Sequence, residues 1–271
     1  MKFGLPSYQN LKPNQDYLQE ASINQIKLLR KLSLRKNREK KKLFLIEGER
    51  AVDQVLEHGF LKIESIFVDE SKANSYKKLA NSFLLEEKTF LEITDTETPQ
   101  GVLAVCIMPN PVSLRELEDI ESGIIVATDA IQDPGNLGTI IRTASWFGAT
   151  AILLGKGTVD IFNPKVVRST VGSTGTLPFL VGELNQFITQ LEQSGWNTLL
   201  LDGNAGSIPI NQIQKNKKTI LVVGNEANGI SGELMSENRQ RTLIPSKSST
   251  KNAESLNAAV ALSIGLWSVN N

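Results

Sequence analysis

Three segments in the second half of the chain carry polar residues directly after apolar, strand-like runs. They are DAIQDPGNLGTIIRTASWFGA at residues 129–149, LVVGNEANGIS at 221–231, and the stretch from TLIP to ESLNAAVALSIGLW at 242–267. In sheets of parallel strands, ligands bind outside the carboxyl ends of the strands. Asn, Arg, Glu and Ser side chains beside glycines at three such ends therefore indicate one composite binding site. A chain with such a site is a candidate enzyme.

The composition excludes several common catalytic devices. The chain has one cysteine, Cys106, and one histidine, His58. Catalysis by a Ser/His/Asp or Cys/His set, a zinc site and an internal disulfide are therefore not expected, and no metal is predicted. Cys106 lies in the apolar run GVLAVCIM, which favours a buried, unreactive thiol. The glycine-rich patterns that cradle phosphates, GxGxxG and GxxxxGK followed by Ser or Thr, do not occur, so any cofactor is held by another kind of loop.

Apolar periodicity predicts an α/β protein with two domains. In the first, a helical pattern over residues 16–41 precedes alternating strands and helices, enough for a small α/β sandwich. In the second, near-continuous apolar strands alternate with helices, which indicates a parallel sheet covered on both faces. The predicted boundaries are an N-terminal arm at 1–19, a first domain at 20–108, a linker at 109–121 and a second domain at 122–271.

Charge is unevenly distributed along a chain that is neutral as a whole, with 29 basic and 29 acidic residues. Between residues 25 and 50, Lys and Arg residues outnumber Glu residues by ten to three. Such an asymmetry points to RNA or DNA as a partner, although a solvated helix face would look the same. The candidate nucleic-acid contacts are Arg35, Lys36, Arg38, Lys40 and Lys41, with Arg168 as a further contact or an ordinary surface residue.

The sequence predicts neither a membrane span nor a secretory signal. No stretch reaches the roughly 20 apolar residues that a membrane span needs, and the first residues, MKFGLPSYQNLKPNQ, lack the apolar core of a secretory signal. We therefore expect a protein without membrane association in the cytoplasm, or in the matrix of an organelle if its organism has one.

The three polar segments resemble a known family. QDPGNLGTIIRTASWFGA resembles the first motif of the SpoU (TrmH-type) RNA methyltransferases, in which an Arg follows an Asn by six residues. GNEANGIS and SLNAAVA look like the second and third motifs, in the expected order and spacing. Upstream, KLLRKLSLRKNREKKKLFLIEGERAV and TPQGVLAV resemble the substrate-binding domain of many members. The resemblance covers about residues 20–270.

This resemblance implies an activity, a cofactor and an architecture. Members transfer a methyl group from S-adenosylmethionine to a ribose 2′-hydroxyl of RNA, form homodimers through the catalytic domain, and bind the cofactor in a C-terminal trefoil knot of the SPOUT type. The N-terminal domain resembles RNA binders of the ribosomal-protein type. Because many tRNA-directed relatives lack that domain, it favours rRNA as the substrate. Methylation of tRNA ribose, a catalytically silent RNA-binding or ribosome-assembly factor, and base methylation are the alternatives.

The resemblance also assigns catalytic residues. The first motif supplies Asn136 and Arg142, the Arg being the group that activates the ribose hydroxyl. A guanidinium stays protonated in proteins and is not a base, so we expect Arg142 to hold a phosphate or to stabilise the forming alkoxide. Glu226 of the second motif is expected to order the knot or to bind Arg142. From the residues alone, Asn136 also suits a helix cap, Arg142 a solvated helix position and Glu226 a charge at a helix start.

The same carry-over predicts the cofactor pocket. Gly224, Ile244 and Leu256 are expected to line the adenosine through backbone amides and apolar contacts. Ser255 and Asn257 begin the third motif, and Ser255 equally suits a helix N-cap. One departure lies at 246–254, where SKSSTKNAE is longer and more hydrophilic than the usual family loop. Because that loop borders the cofactor in the family, its contacts here do not follow from the resemblance.

Overall fold

The computed structural model divides the chain into two compact units. The residues that it describes are 17–94, 96, 98–204, 206–246 and 255–270. The first unit comprises residues 1–109 and 160–176, and the second comprises 110–159 and 177–271. Segment 160–176, which the sequence assigns to the second domain, therefore belongs to the first unit. Most of the predicted N-terminal arm, residues 1–16, lies outside the described residues.

Each unit is built on a sheet. The strands of the first unit are β1 (Gln19–Glu20), β2 (Leu43–Glu47), β3 (Ile63–Val68), β4 (Ser82–Leu84) and β5 (Val102–Ile107). Those of the second are β6 (Gly123–Thr128), β7 (Ala151–Gly155), β8 (Phe179–Gly182), β9 (Asn197–Leu201), β10 (Ile208–Pro209), β11 (Lys218–Val223) and β12 (Gln240–Leu243). Within the described residues, the strand orders are β1-β4-β3-β5-β2 and β10-β12-β9-β11-β6-β7-β8.

Helices flank both sheets. In chain order they are α1 (Ile23–Lys31), α2 (Arg35–Lys41), α3 (Glu49–His58), α4 (Ala73–Tyr76), α5 (Glu87–Ile93), α6 (Leu114–Glu118), α7 (Pro134–Trp146), α8 (Pro164–Thr170), α9 (Leu184–Gln193) and α10 (Ala258–Asn270). Helix α8 lies in segment 160–176, which belongs to the first unit, and it packs on β2 there. None of the helices in the described part of the chain is long and apolar enough to cross a membrane.

The helix predicted over residues 16–41 is wrong in its extent, because two helices and a strand occupy this range. Residues Gln19–Glu20 form β1, which pairs with β4. Ser22 then starts α1 with a reciprocal capping box to Gln25, which satisfies free N–H groups of the first turn. The chain turns at residues 32–34 and begins α2 at Arg35. The apolar periodicity does not reveal this turn, because the stripe of α1 continues to Leu32 in the core and α2 contains no apolar residue that would mark a new helix.

Cys106 lies in the core of the first unit. It stands in β5, which runs antiparallel to both β2 and β3, and its side chain is fully buried. Desolvation by burial raises the pKa of the Cys106 thiol to about 12, so the thiolate is scarce at neutral pH. The predicted burial of this thiol is confirmed.

The second sheet confirms the predicted parallel architecture. All its strand pairings are parallel, and its central strands β6, β7 and β11 contain unbroken apolar runs of four residues because helices cover both faces. Residues Ile125, Leu153 and Val222 are completely buried. Each such side chain contributes about 1.5–3 kcal/mol relative to an exposed position. This core fixes the sheet whose edge carries the polar loops.

Candidate active site

Three loops of the second unit leave the same edge of the parallel sheet. Strand β6 ends at Thr128 and β11 ends at Val223, and these two residues are partners in register. Strand β9 pairs in parallel with both β11 and β12, so the carboxyl end of β12, at Leu243, lies on that edge as well. The three polar segments of the sequence follow these strand ends.

A chain of side-chain hydrogen bonds joins the three segments. The Nδ2 group of Asn257 donates to Oδ1 of Asn136 over 2.8 Å. The Nδ2 group of Asn136 in turn donates to Oε1 of Glu226 over 2.7 Å. Because Asn136 uses both ends of its amide, one donating and one accepting, its orientation is fixed from two sides. Three residues, one from each motif, thus form a single polar cluster.

The observed N-caps of α7 and α10 show whether Asn136 and Ser255 act as helix caps, which the sequence leaves open. Helix α7 is capped by Asp133, whose Oδ1 accepts from the backbone N–H of Asn136 over 2.8 Å. Helix α10 is capped by Asn257, whose Oδ1 accepts from the N–H groups of Ala259 and Val260. The cap interpretation of Asn136 is therefore wrong, and so is that of Ser255, which is exposed and lies two residues before the cap.

Glu226 neither binds Arg142 nor lies at the start of a helix, which were two of the roles predicted for it. Its carboxylate accepts from Asn136 rather than from Arg142. It lies in a turn and not at the start of a helix. Arg142 is exposed on α7, six residues beyond Asn136, and no residue in the described ranges forms a hydrogen bond or ion pair with its guanidinium. The cation is therefore available to an anionic group of a ligand.

The loop after β11 is held by its own backbone and by the loop after β6. Asn225 donates from Nδ2 to the carbonyl of Ala130 over 2.8 Å, and its Oδ1 accepts from two N–H groups of its own turn. Asp129, largely buried, accepts from the N–H of Ser231 over 2.6 Å. Asn225 and Asp129 were not predicted as site residues, although Asp129 directly follows β6 and Asn225 lies two residues after β11.

Gly224 is required by this loop. A Cβ atom at Gly224 would lie 2.3 Å from the carbonyl carbon of Gly229 and 2.4 Å from the nitrogen of Ile230. Those are backbone atoms, which cannot rotate away. The glycine therefore allows two parts of the loop's own backbone to come close together. The sequence had suggested that it allows a ligand to approach the backbone.

Two of the residues predicted to line the cofactor pocket are apolar and partly exposed. Leu256 is 48% exposed, and Ile244, directly after β12, is partly exposed. Ser207, in the loop after β9, has a buried Oγ that has no hydrogen-bond partner among the described residues. Apolar side chains for a flat base and a free hydroxyl for a polar edge fit a nucleoside such as that of S-adenosylmethionine. Residues 247–254, most of the atypical loop, lie outside the described residues.

Arg38 is not available to bind RNA, and its prediction as an RNA contact is wrong. Its side chain is 2% exposed and its Nη2 group lies 2.5 Å from Oδ2 of Asp160. The Nη1 group donates to the carbonyls of Leu32 and Ser33. The reason for the error is that Asp160 lies 122 positions away in the sequence, so a buried ion pair within the first unit looked like part of a basic surface.

The other basic candidates divide into paired and exposed groups. Arg35 pairs with Glu39 across one helical turn, and this hydrogen bond raises the pKa of the Arg35 guanidinium above its usual value. Arg168 contacts Glu47 at 3.2 Å, with both side chains largely buried. The exposed lysines of α2 are Lys36, Lys40 and Lys41. Contact of these three lysines with RNA phosphates stays a prediction.

In the part of the chain that the structure describes, no group of three or more His, Cys, Asp or Glu side chains could hold a metal ion. The polar cluster at the sheet edge contains one carboxylate, that of Glu226, and its neighbours are amides.

Two family models match this chain. A model of the SpoU rRNA methylase family matches residues 123–267, which is more than half of the chain. The chain belongs to the SpoU rRNA methylase family. The predicted family is thereby confirmed. A model of the MRM3-like substrate binding domain matches residues 24–104 of this SpoU protein, in the region where the sequence resembles such a domain.

Individual relatives resemble the SpoU protein over nearly its whole length. The 23S rRNA (guanosine(2553)-2'-O)-methyltransferase RlmP of Bacillus subtilis is 35% identical over 251 residues, covering 91% of this chain and 96% of that protein. The 23S rRNA (uridine(2479)-2'-O)-methyltransferase of Streptomyces viridochromogenes is 27% identical, covering 81% and 80%. An AdoMet-bound rRNA methyltransferase from Sinorhizobium meliloti has a TM-score of 0.80 at 31% identity, covering 93% and 96% of the two chains.

Proposed function

We propose that this SpoU protein transfers a methyl group from S-adenosylmethionine to a ribose 2′-hydroxyl of ribosomal RNA. The observation that carries the proposal is the hydrogen-bonded chain from Asn257 through Asn136 to Glu226, which joins the three family motifs at one sheet edge. The proposal is supported by relatives named as 23S rRNA 2'-O-methyltransferases. A substrate of this class also suits a protein with a matched substrate-binding domain.

The residues present fit the demands of this reaction. S-adenosylmethionine, when bound, supplies a methyl group on a sulfonium that is already a strong electrophile. The weak partner is the ribose hydroxyl, which is protonated at neutral pH and has to be oriented and polarised. Arg142 is a permanent cation, and it holds the phosphate beside the target ribose or stabilises the alkoxide as the proton leaves. Asn136 and Glu226 form hydrogen-bonding groups of the site beside α7, the helix that carries Arg142.

The pocket for the cofactor is proposed on the loops after β9, β11 and β12. Ile244 and Leu256 supply apolar contact to the adenine, and the loop at Gly224 supplies backbone groups. Ser255 stands beside the cap of α10 with an exposed hydroxyl. The unpaired Ser207 hydroxyl adds a hydrogen-bonding group that the resemblance did not predict. We also propose that these loops form the trefoil knot of the family.

We further propose that the protein is a homodimer through its second unit. Helices α7 and α10 pack against each other and present large apolar side chains to solvent, with Trp146 85% and Trp267 59% exposed. Exposed apolar patches of this kind mark association surfaces, and a second copy with the same patch is the simplest complement. Light scattering after gel filtration should give twice the 29.7 kDa chain mass, and Trp146→Glu should shift it to the monomer. A wild-type monomer at all concentrations would contradict the dimer.

A protein that modifies ribosomal RNA acts where ribosomes are made, which we propose to be the cytoplasm. RNA would be attracted to the first unit through the exposed lysines of α2, Lys36, Lys40 and Lys41. Because this attraction comes from phosphate charge, affinity should fall steeply as salt rises.

The reaction is tested with the purified protein, methyl-labelled S-adenosylmethionine and an unmodified transcript of Bacillus subtilis 23S rRNA, with tRNA transcripts in parallel. Nuclease digestion and mass spectrometry should detect a 2′-O-methylnucleoside in the rRNA. Arg142→Ala should bind S-adenosylmethionine like the wild type in calorimetry and lose about 100-fold to 1,000-fold in rate. Arg142→Lys is the matched control that keeps the charge.

Other outcomes separate the alternatives. Methylation of tRNA alone would move the substrate to tRNA, and a methyl group on a base would contradict ribose transfer. A folded wild type that binds RNA but not S-adenosylmethionine would be a silent RNA-binding factor.

A further inference from the structure

The turn between α1 and α2 exposes an apolar side chain at an unusual position. Leu34 is the N-cap residue of α2 and makes no side-chain cap hydrogen bond. Ser, Thr, Asp and Asn are strongly preferred at N-caps, because their side chains satisfy free N–H groups of the first turn. Leu34 gives up this stabilisation, and it does not gain burial in return, since it is 62% exposed.

The turn that presents Leu34 is held from several sides. The buried Arg38 guanidinium donates to the carbonyls of Leu32 at 3.0 Å and Ser33 at 2.7 Å. Asn37 donates from Nδ2 to the carbonyl of Lys31 over 3.0 Å. The Leu32 side chain is fully buried in the core of the first unit. A turn fixed in this way loses little conformational entropy when a ligand binds to it.

The surroundings of Leu34 are basic. Lys31 precedes the turn, and Arg35 and Lys36 follow it, and all three side chains are exposed. An anionic polymer attracted to these residues meets Leu34 between them. Proteins that bind nucleic acids use apolar side chains, leucine included, as wedges against bases, and RNA offers unstacked bases in loops and single strands.

We propose that Leu34 packs against an unstacked nucleobase of the RNA substrate, on a turn that Arg38 and Asn37 hold in place. This inference rests on the proposed function, because it names a contact of the first unit with the same RNA. The lysines of α2 attract the phosphates of single-stranded and double-stranded RNA alike, whereas Leu34 favours single-stranded RNA over a duplex. A duplex keeps its bases stacked and presents only phosphate and sugar to the turn.

The experiment measures binding of the full chain to two fluorescein-labelled probes, a single-stranded oligouridine and an RNA duplex of equal length, by anisotropy over a range of KCl concentrations. Leu34→Ser should weaken binding of the oligouridine by about fivefold at every salt concentration. It should leave the duplex affinity and the salt slope unchanged. Lys36→Gln is the contrasting variant, since it should lower the salt slope by about 0.7 on the single strand.

Leu34→Ser also controls for folding, because serine is a better N-cap than leucine and its urea midpoint should equal or exceed that of the wild type. Leu34→Phe should keep or strengthen the single-strand affinity. Equal oligouridine affinity of Leu34→Ser and wild type, with Lys36→Gln impaired, overturns this inference alone. A wild type that binds neither these probes nor a 23S rRNA transcript overturns the proposed function as well.

Discussion

Asn257 donates a hydrogen bond to Asn136 across 121 positions of sequence, and the oxygen of the same amide caps helix α10. One side chain therefore fixes the start of the last helix and the orientation of a residue in the first motif. Glu226 completes the chain from the other side of Asn136. The polarity of this chain is set by its ends: Glu226 can only accept, so Asn136 has to donate to it and accept from Asn257.

This polarity predicts the behaviour of two substitutions. Asn257→Asp keeps the cap oxygen but replaces the donor by a carboxylate, so Asn136 would face acceptors on both sides with one amide group to donate. We expect unfolding free energy within about 0.5 kcal/mol of the wild type and a methyl-transfer rate lower by about 10-fold to 100-fold.

The double variant Asn257→Asp with Glu226→Gln provides the decisive control. The Asn136 amide can then turn over, donating to the new Asp and accepting from the new Gln, which restores the chain with reversed polarity. The rate of the double variant should exceed that of Asn257→Asp, as measured in a double-mutant cycle with single-turnover kinetics. Strictly additive losses would show that the chain of bonds does not matter to the reaction.

The buried pair of Arg38 and Asp160 leads to a prediction about stability. Asp160→Asn leaves the guanidinium of Arg38 in the interior of the first unit without its counter-charge, and breaking a buried pair from one side costs about 3–5 kcal/mol. Urea unfolding should show this loss. Glu39→Gln, which breaks the exposed pair with Arg35, is the matched control and should cost less than about 1 kcal/mol. Similar small effects of both variants would argue against burial of Arg38.

Much of the second unit is predictable from the sequence, because apolar runs without alternation occur where a parallel strand is covered on both faces. The meeting of the motifs is predictable for a related reason, since polar residues at the carboxyl ends of parallel strands share one edge. The strand ends predict one composite site, and the resemblance to the family singles out Asn136 and Glu226 within it. The hydrogen bonds among these residues did not follow from the sequence, since Glu226 was expected to order the knot or to bind Arg142, and its carboxylate accepts from Asn136.

What escaped prediction depends on contacts between distant positions. The basic run of α2 looks uniform in sequence, yet Arg38 is buried and Lys36 is exposed, because only Arg38 meets Asp160. The sequence also left the helix caps open. Asp133, Asn136, Ser255 and Asn257 are all good cap residues, and the choice among them follows from where each helix starts in three dimensions.

The thiol of Cys106 predicts a dependence of stability on pH. Burial raises its pKa to about 12 in the folded protein, above the value of about 8.5 expected for an unfolded chain. The unfolded state therefore loses its thiol proton first, so the stabilisation is complete below pH 8.5 and is lost as pH rises towards 12, at about 1.4 kcal/mol per pH unit.

Cys106→Ala isolates this effect from other titrating groups. The difference in unfolding free energy between wild type and variant should shrink steadily as pH rises from 8.5 to 10.5 in urea titrations. In the folded wild type, a thiol reagent should react with Cys106 only as fast as the protein unfolds. Rapid labelling at pH 8, or a difference that is constant with pH, would show that the thiol is accessible.

Gly224 offers a test of how tightly the second motif is folded on itself. Gly224→Ala places a methyl group within 2.3–2.4 Å of backbone atoms of Gly229 and Ile230, so the turn has to open and the bond from Asn225 to Ala130 has to break. We expect a loss of about 2–4 kcal/mol in unfolding free energy and loss of S-adenosylmethionine binding in calorimetry. Gly203→Ala is the matched control, since a Cβ there meets no atom of the described residues within 4 Å, and it should change stability by less than about 1 kcal/mol. If Gly224→Ala were as stable as Gly203→Ala, the turn would have room that the structure does not show. If it were unstable yet bound the cofactor normally, Gly224 would serve the fold of the loop without shaping the pocket.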